Sequence, residues 1–121
     1  MSKVAIILLA EPRSHDSWAR AQHALLYTKE LKEHGHDVVL IFDGGATKWI
    51  AEFKKTDNRL ASLYNEVIDG DVVLGVCDYC LGAFGGDQEE VKKGGIPVLG
   101  EYDGHPSIAK LIDEGFQVIT L

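Results

Sequence analysis

The stretch DVVLGVCDYCLGAFGG, residues 71–86, decides the predicted fold because it joins a buried strand to a short helix at a pair of cysteines. Residues 72–76 form a short apolar run with several β-branched side chains, which is typical of a parallel strand buried on both faces. The run ends at Cys77, and Cys80 follows three residues later, where we expect a helix to begin. The stretch therefore predicts a strand whose carboxyl end carries both thiols of the chain.

On both sides of this stretch, apolar runs alternate with segments whose apolar residues recur at helical spacing. The other strands are predicted at residues 4–10, 38–42, 96–100 and 116–121. Such alternation indicates a parallel sheet whose right-handed crossovers place helices on both faces. The predicted fold class is therefore α/β, a three-layer α/β/α arrangement with a five-stranded parallel sheet, in one domain over residues 1–121.

The composition limits the partners that this chain is expected to have. A formal net charge of -7 argues against nucleic acid or an anionic membrane as a partner. No basic region followed by a long apolar run opens the sequence, so we expect a cytoplasmic protein whose thiols stay reduced. In that compartment a C-x-x-C motif indicates redox, sulfur or metal chemistry rather than a structural disulfide.

Polar residues that follow the other strands are expected near the thiols, because ligands of parallel sheets bind outside the carboxyl ends of the strands. These candidate binding residues are Arg13 and His15 after the first strand, Asp43 after the second and His105 after the fourth. A helix that starts beside Cys77 is expected to favour its thiolate, whereas the neighbouring Asp78 opposes it.

The last predicted helix offers a second interpretation of His105. Pro106 is expected at the first helical position, so His105 before it has the place of a capping residue. Three apolar side chains of this helix, Ile108, Leu111 and Ile112, are expected to face inward.

Three features together resemble the DsrE/DsrF-like family, also called YchN-like. The opening KVAIIL (residues 3–8) leads through a helix to GHDVVLIF (residues 35–42), and the sequence closes on LIDEGFQVI (residues 111–119). Between them, Cys77 stands at the end of the third predicted strand, where the family has its cysteine. The resemblance spans almost the whole chain, and the order of the motifs carries it.

The resemblance implies a three-layer α/β/α fold, homo-oligomers or hetero-oligomers as working units, and sulfur relay. By position, Cys77 is then the catalytic cysteine that accepts sulfane sulfur as a persulfide, as in a sulfurtransferase or a persulfide carrier. Cys80 is the second catalytic candidate, as a resolving cysteine. The implied partners are sulfur donor and acceptor proteins or small sulfur species, together with further copies of the chain.

The alternative is a non-catalytic oligomeric module whose C-x-x-C is structural or binds zinc. One C-x-x-C supplies two of the four ligands that a structural zinc site needs. His15 and His105 could complete such a site with Cys77 and Cys80, or two chains could share a four-cysteine site. No other cofactor is predicted, because the loop after the first strand has no glycine-rich phosphate cradle.

Overall fold

The computed structural model describes residues 1–121, apart from the side chains of Val73 and Leu74, so the predicted burial of those two lies outside the described residues. The strands are β1 (Lys3–Leu8), β2 (Asp37–Phe42), β3 (Val73–Cys77), β4 (Val98–Leu99) and β5 (Gln117–Thr120). The helices are α1 (His15–Glu33), α2 (Trp49–Glu52), α3 (Ala61–Asp69), α4 (Asp78–Ala83), α5 (Gln88–Lys93) and α6 (Ile108–Asp113), with a 3₁₀ helix at Gly44–Lys48. None of the described helices has the length and apolar character needed to cross a membrane.

All five strands lie parallel in one sheet, in the order β4-β3-β2-β1-β5. The predicted α/β fold class is therefore confirmed. β4 is shorter than the predicted strand at residues 96–100 and begins after Pro97, whose nitrogen has no proton for a ladder bond. The Pro97 carbonyl still accepts a hydrogen bond from the backbone N–H of Val76 at 2.9 Å, which attaches β4 to β3.

The two faces of the sheet are covered unequally. Alternate residues of β1 separate the two cores, with Ile6 in the larger one and Ile7 in the smaller one. Helices α1 to α5 contribute side chains to the larger core, whereas α6 contributes Leu111 to the smaller one. This follows from right-handed crossovers, since the chain moves in one direction from β1 to β4 and then returns across the sheet to β5.

Helix α6 differs from its prediction at both its start and its exposed face. Ser107 is the N-cap, and its Oγ accepts a hydrogen bond from the backbone N–H of Lys110 at 3.1 Å. The expectations that Pro106 opens the helix and that His105 caps it are therefore wrong, because a serine hydroxyl one residue later takes that role. Only Leu111 of the three expected inward residues is buried; the other two, Ile108 and Ile112, are 47% and 54% exposed.

Tyr64 of α3 lies fully buried in the larger core, stacked on Phe53 with ring centroids 4.5 Å apart. Among the described residues its hydroxyl has no hydrogen-bond partner, and burial raises the pKa of Tyr64 to about 12.

We expect Tyr64→Phe to keep the free energy of unfolding at pH 7 or to raise it by about 1 kcal/mol, because the buried hydroxyl is lost without breaking a bond. An unfolded tyrosine ionises near pH 10. The native protein should therefore lose stability as the pH rises from about 10 to about 12, and the variant should lose less. Urea unfolding at pH 7 and pH 11 measures both effects. A variant clearly less stable than the native protein at pH 7 would contradict the expectation.

Candidate dithiol site

At the carboxyl ends of β3 and β4, the chain leaves these two neighbouring strands toward opposite faces of the sheet. After β3 it enters α4, whose Leu81 packs in the larger core. After β4 it turns toward α6, whose Leu111 packs in the smaller core. Parallel sheets bind ligands at such switch points. Cys77, the last residue of β3, lies at this one.

The two cysteines form one compact unit. Cys77 is the N-cap of α4 and Cys80 lies one turn into it, so the backbone N–H of Cys80 donates to Cys77 Sγ at 3.4 Å. Both thiols are free, and the side chains are buried, with no exposure at Cys77 and 7% at Cys80. The i, i+3 spacing of the C-x-x-C motif thus brings both sulfur atoms to one end of a short helix.

A tight hairpin after β4 places His105 against the thiols. Tyr102 and His105 exchange two backbone hydrogen bonds of 2.8 and 2.9 Å around Asp103 and Gly104, whose φ angles are +49° and +83°. These are the angles of a two-residue type I′ turn, in which glycine and aspartate are favoured. As a result, His105 Nδ1 lies 3.2 Å from Cys77 Sγ and 3.7 Å from the Sγ of the second cysteine.

The hairpin is docked on the start of α4. The backbone N–H of Tyr79 donates to the Gly104 carbonyl at 2.9 Å, and that carbonyl lies 3.7 Å from Cys77 Sγ. The ring of Tyr79 also packs against the imidazole of His105, with centroids 5.1 Å apart. The position of the imidazole is therefore set by backbone bonds and by one aromatic contact.

Asp43 completes the site from the loop after β2. Its Oδ1 accepts a hydrogen bond from the backbone N–H of Gly44 at 2.8 Å and one from Cys80 Sγ at 3.4 Å. Four potential metal-ligand atoms then lie within 4.8 Å of one another, one each from Asp43, Cys77, Cys80 and His105. We call these four residues the dithiol site.

Burial raises the pKa of the Cys77 thiol to about 12, and hydrogen bonding to Cys80 and the charge of Asp43 act in the same direction. The N–H donated by Cys80 opposes them without offsetting them. The expectation that the start of α4 favours the thiolate is therefore wrong, because desolvation of the buried sulfur outweighs the N–H group. The carboxylate that opposes ionisation of Cys77 is Asp43, in the loop after β2, rather than its sequence neighbour Asp78.

The family model of the DsrE/DsrF-like family matches residues 2–121. The chain belongs to the DsrE/DsrF-like family. Among its relatives is an uncharacterised protein of Methanocaldococcus jannaschii, MJ0733, which is 34% identical over 99 residues, 82% of this chain and 78% of the relative. Among solved structures, the fold is similar to that of a conserved protein of unknown function from Bacteroides thetaiotaomicron, BT1422, with a TM-score of 0.69. That likeness covers 99% of this chain and 95% of the other at 19% identity, which shows the shared fold alone.

Two of the predicted binding residues of this DsrE-like chain lie elsewhere. Arg13 is exposed and its guanidinium lies 3.6 Å from the carboxylate of Glu11. His15 begins α1 and lines a surface pocket with Trp18 and Arg59. Both follow β1, which is two strands away from β3, a separation of about 10 Å across a sheet. Of the six predicted site residues, the structure brings four together at the switch point.

Sequence reasoning missed the parts of the DsrE-like site that act through the backbone. The Gly104 carbonyl and the Tyr79 N–H, which dock the hairpin, carry no side-chain signal. The dipeptide Asp103-Gly104 does carry one, since Asp-Gly is favoured in two-residue hairpin turns. Interpreted as a turn, this dipeptide predicts that His105 pairs with Tyr102 in a hairpin instead of capping the next helix.

Proposed function

We propose that this DsrE-like chain carries sulfane sulfur as a persulfide on Cys77, and so acts as a sulfurtransferase or a persulfide carrier. Membership of the family suggests sulfur relay. The observation that carries the proposal is the 3.2 Å distance from Cys77 Sγ to His105 Nδ1. A thiol within hydrogen-bond reach of an imidazole is the arrangement that nucleophilic cysteines use.

The raised pKa of Cys77 defines what His105 would do. A buried thiol that stays protonated at pH 7 is a weak nucleophile, so it needs a base that removes its proton as sulfur attacks. With thiosulfate as donor the step is Cys77–SH + S₂O₃²⁻ → Cys77–S–SH + SO₃²⁻. The thiol sulfur bonds to the outer sulfur of thiosulfate, the S–S bond of the donor breaks, and its electron pair leaves with sulfite.

Cys80 would resolve the persulfide in this proposal. Its sulfur lies within 4.8 Å of Cys77 Sγ, and its thiol is hydrogen-bonded to Asp43. The resolving step is Cys77–S–SH + Cys80–SH → Cys77–S–S–Cys80 + H₂S. The sulfur of Cys80 bonds to Cys77 Sγ, the S–S bond of the persulfide breaks, and its electron pair leaves with the outer sulfur as sulfide. The thiol sulfur of Cys80 is thereby oxidised and the outer sulfur is reduced. Transfer to an acceptor thiol would instead return Cys77 to its thiol form.

The burial of Cys77 favours the second candidate, a non-catalytic module whose thiols are structural. A thiol with no exposed surface reacts only with a small reagent or after a local opening. Small sulfur species therefore fit the site better than a flat protein surface as the immediate donor.

The test of the proposed function is sulfur uptake by Cys77→Ser, with Cys80→Ser as its matched control. Reduced protein is incubated without oxygen with thiosulfate or polysulfide and examined by intact-mass spectrometry. We expect one reductant-sensitive sulfur atom on the native chain and none on Cys77→Ser. Cys80→Ser should keep the adduct for longer, because internal release of sulfide is removed. Uptake by Cys77→Ser at the native level would overturn the proposal, and thiols that alkylate only after denaturation would favour the structural alternative.

The homo-oligomer implied by the resemblance stays a prediction, as does the cytoplasmic location. The exposed apolar side chains of Ile108 and Ile112 on α6, of Val98 at the edge of the sheet, and of Tyr102 on the hairpin support self-association. A second chain packed on these side chains would remove their apolar surface from water.

A further inference from the structure

We propose that the dithiol site also binds a divalent metal ion of the zinc class through Asp43, Cys77, Cys80 and His105. The zinc alternative raised by the sequence names a different ligand set, with His15 or a second chain completing the site. The observed cluster lies within one chain and includes a carboxylate in place of that histidine. This inference does not rest on sulfur transfer.

The spacing of the donor atoms suits tetrahedral coordination. Neighbouring ligand atoms around a tetrahedral zinc ion are about 3.3–3.8 Å apart, given Zn–S near 2.3 Å and Zn–N near 2.0 Å. The distances from His105 Nδ1 to the two sulfur atoms are 3.2 and 3.7 Å, and Cys80 Sγ lies 3.4 Å from an oxygen of Asp43. The remaining pairs are within 4.8 Å, so the four atoms close on an ion with shifts of about 1 Å or less.

The charge of the site calls for a cation. A carboxylate lies beside two thiols that would give up their protons to a bound metal ion, and in the part of the chain that the structure describes no lysine or arginine forms an ion pair with Asp43. Two thiolates and one carboxylate around a divalent ion leave a net charge of only -1. Thiolate, imidazole and carboxylate are all ligands that zinc accepts in proteins.

Backbone groups already orient the ligands. The N–H of Cys80 donates to Cys77 Sγ, and the N–H of Gly44 donates to Asp43 Oδ1. The hairpin bond between Tyr79 and Gly104 holds His105 beside both sulfur atoms. Such outer contacts fix ligand orientation in metal sites and contribute strongly to affinity.

Binding would follow M²⁺ + 2 Cys–SH → M(S–Cys)₂ + 2 H⁺, with no change in oxidation state. Four protein ligands leave no open position on a tetrahedral ion. The ion would therefore hold together the loop after β2, the start of α4 and the hairpin after β4, rather than act as a Lewis acid. Metal and sulfane sulfur would compete for the sulfur of Cys77. The metal-bound protein should therefore resist persulfide formation until a chelator removes the ion.

The test is anaerobic titration of the reduced native chain with Co²⁺, followed by displacement with Zn²⁺. We expect one Co²⁺ per chain, with the intense visible bands of tetrahedral cobalt and a thiolate-to-cobalt charge-transfer band. Asp43→Asn and His105→Asn should each weaken Zn²⁺ binding at least tenfold, about 1.4 kcal/mol or more. Asp57→Asn, at an exposed carboxylate in the turn before α3, is the matched control and should bind as the native chain does.

Circular dichroism of each metal-free variant checks that it is folded. Octahedral cobalt spectra, or Zn²⁺ affinity unchanged in folded Asp43→Asn, would overturn the four-ligand site. Failure of the metal site and failure of the proposed sulfur carrier give different results. Sulfur uptake without a cobalt spectrum overturns only the metal site, and a cobalt spectrum without sulfur uptake overturns only the sulfur carrier.

Discussion

His105→Asn should slow persulfide formation on Cys77 by about 10²–10⁴-fold, the usual contribution of a positioned general base. Asparagine keeps a polar group near the place of Nδ1, 3.2 Å from the thiol, but it cannot accept the thiol proton at neutral pH. Burial holds the pKa of Cys77 near 12, so the thiol does not supply a thiolate on its own. The loss should therefore appear in the rate of the chemical step.

The measurement is single-turnover sulfur uptake at saturating thiosulfate, with quenched samples read by intact mass. His15→Asn is the matched control, because it removes an exposed histidine of α1 that lies outside the dithiol site. It should react at the native rate. Added imidazole should partly restore a His105→Ala variant, which a purely structural role of His105 would not allow. Equal rates for His105→Asn and the native chain would mean that Cys77 reacts without this base.

Gly75→Ala should destabilise the fold and displace the dithiol site. A Cβ atom at Gly75 would clash with the Pro97 carbonyl oxygen and lie 2.9 Å from Leu99 Cγ, inside van der Waals contact. The carbonyl is the partner of the Val76 N–H, so β4 must move away from β3 and lose this bond. We expect the free energy of unfolding to fall by about 3 kcal/mol, at the upper end for overpacked sites.

Urea unfolding measures that loss, and the alkylation rate of the thiols in native protein measures the displacement. Gly82→Ala is the matched control, since a Cβ there meets no atom within 4 Å and the position lies inside α4. It should keep stability or raise it by up to about 1 kcal/mol, as alanine is the better helix former. Equal stability of the two variants would show that β4 adapts freely to a side chain at position 75.

The order of strands and helices could be predicted from the sequence because strands and helices differ in the spacing of their apolar residues. Turn and capping residues also mark where each element begins and ends. The sequence could not predict which apolar side chains of a helix stay exposed to solvent. Ile108, Leu111 and Ile112 share the spacing of an inward-facing stripe, yet α6 is a helix of six residues that presents only Leu111 to the small core. Local periodicity does not reveal how wide the opposing surface is.

The site was predictable to the extent that parallel strands end on one edge. That rule correctly places Asp43 and His105 near the cysteines. It does not give the lateral order of the strands, so it also places Arg13 near the cysteines, although β1 lies two strands away from β3. The raised pKa of Cys77 could not be predicted from the sequence for a related reason. Its pKa depends on burial and on Asp43, a residue 34 positions earlier in the chain that becomes a neighbour only in the folded state.

The hairpin that closes over Cys77 makes the reactivity of the thiol a property of an equilibrium. Because Cys77 has no exposed surface and its sulfur contacts Gly104 and His105 of the hairpin, we expect larger reagents to reach it only in molecules in which the hairpin has separated from α4. The separation is opposed by the backbone bond from Tyr79 to Gly104 and by the contact between the rings of Tyr79 and His105. The contacts of Cys77 Sγ with the Gly104 carbonyl and with His105 oppose it as well. Each 1.4 kcal/mol that a bound molecule adds to or removes from this balance changes the accessible fraction about tenfold. A partner that binds the hairpin would thereby raise or lower the reactivity of the thiol without contacting the sulfur.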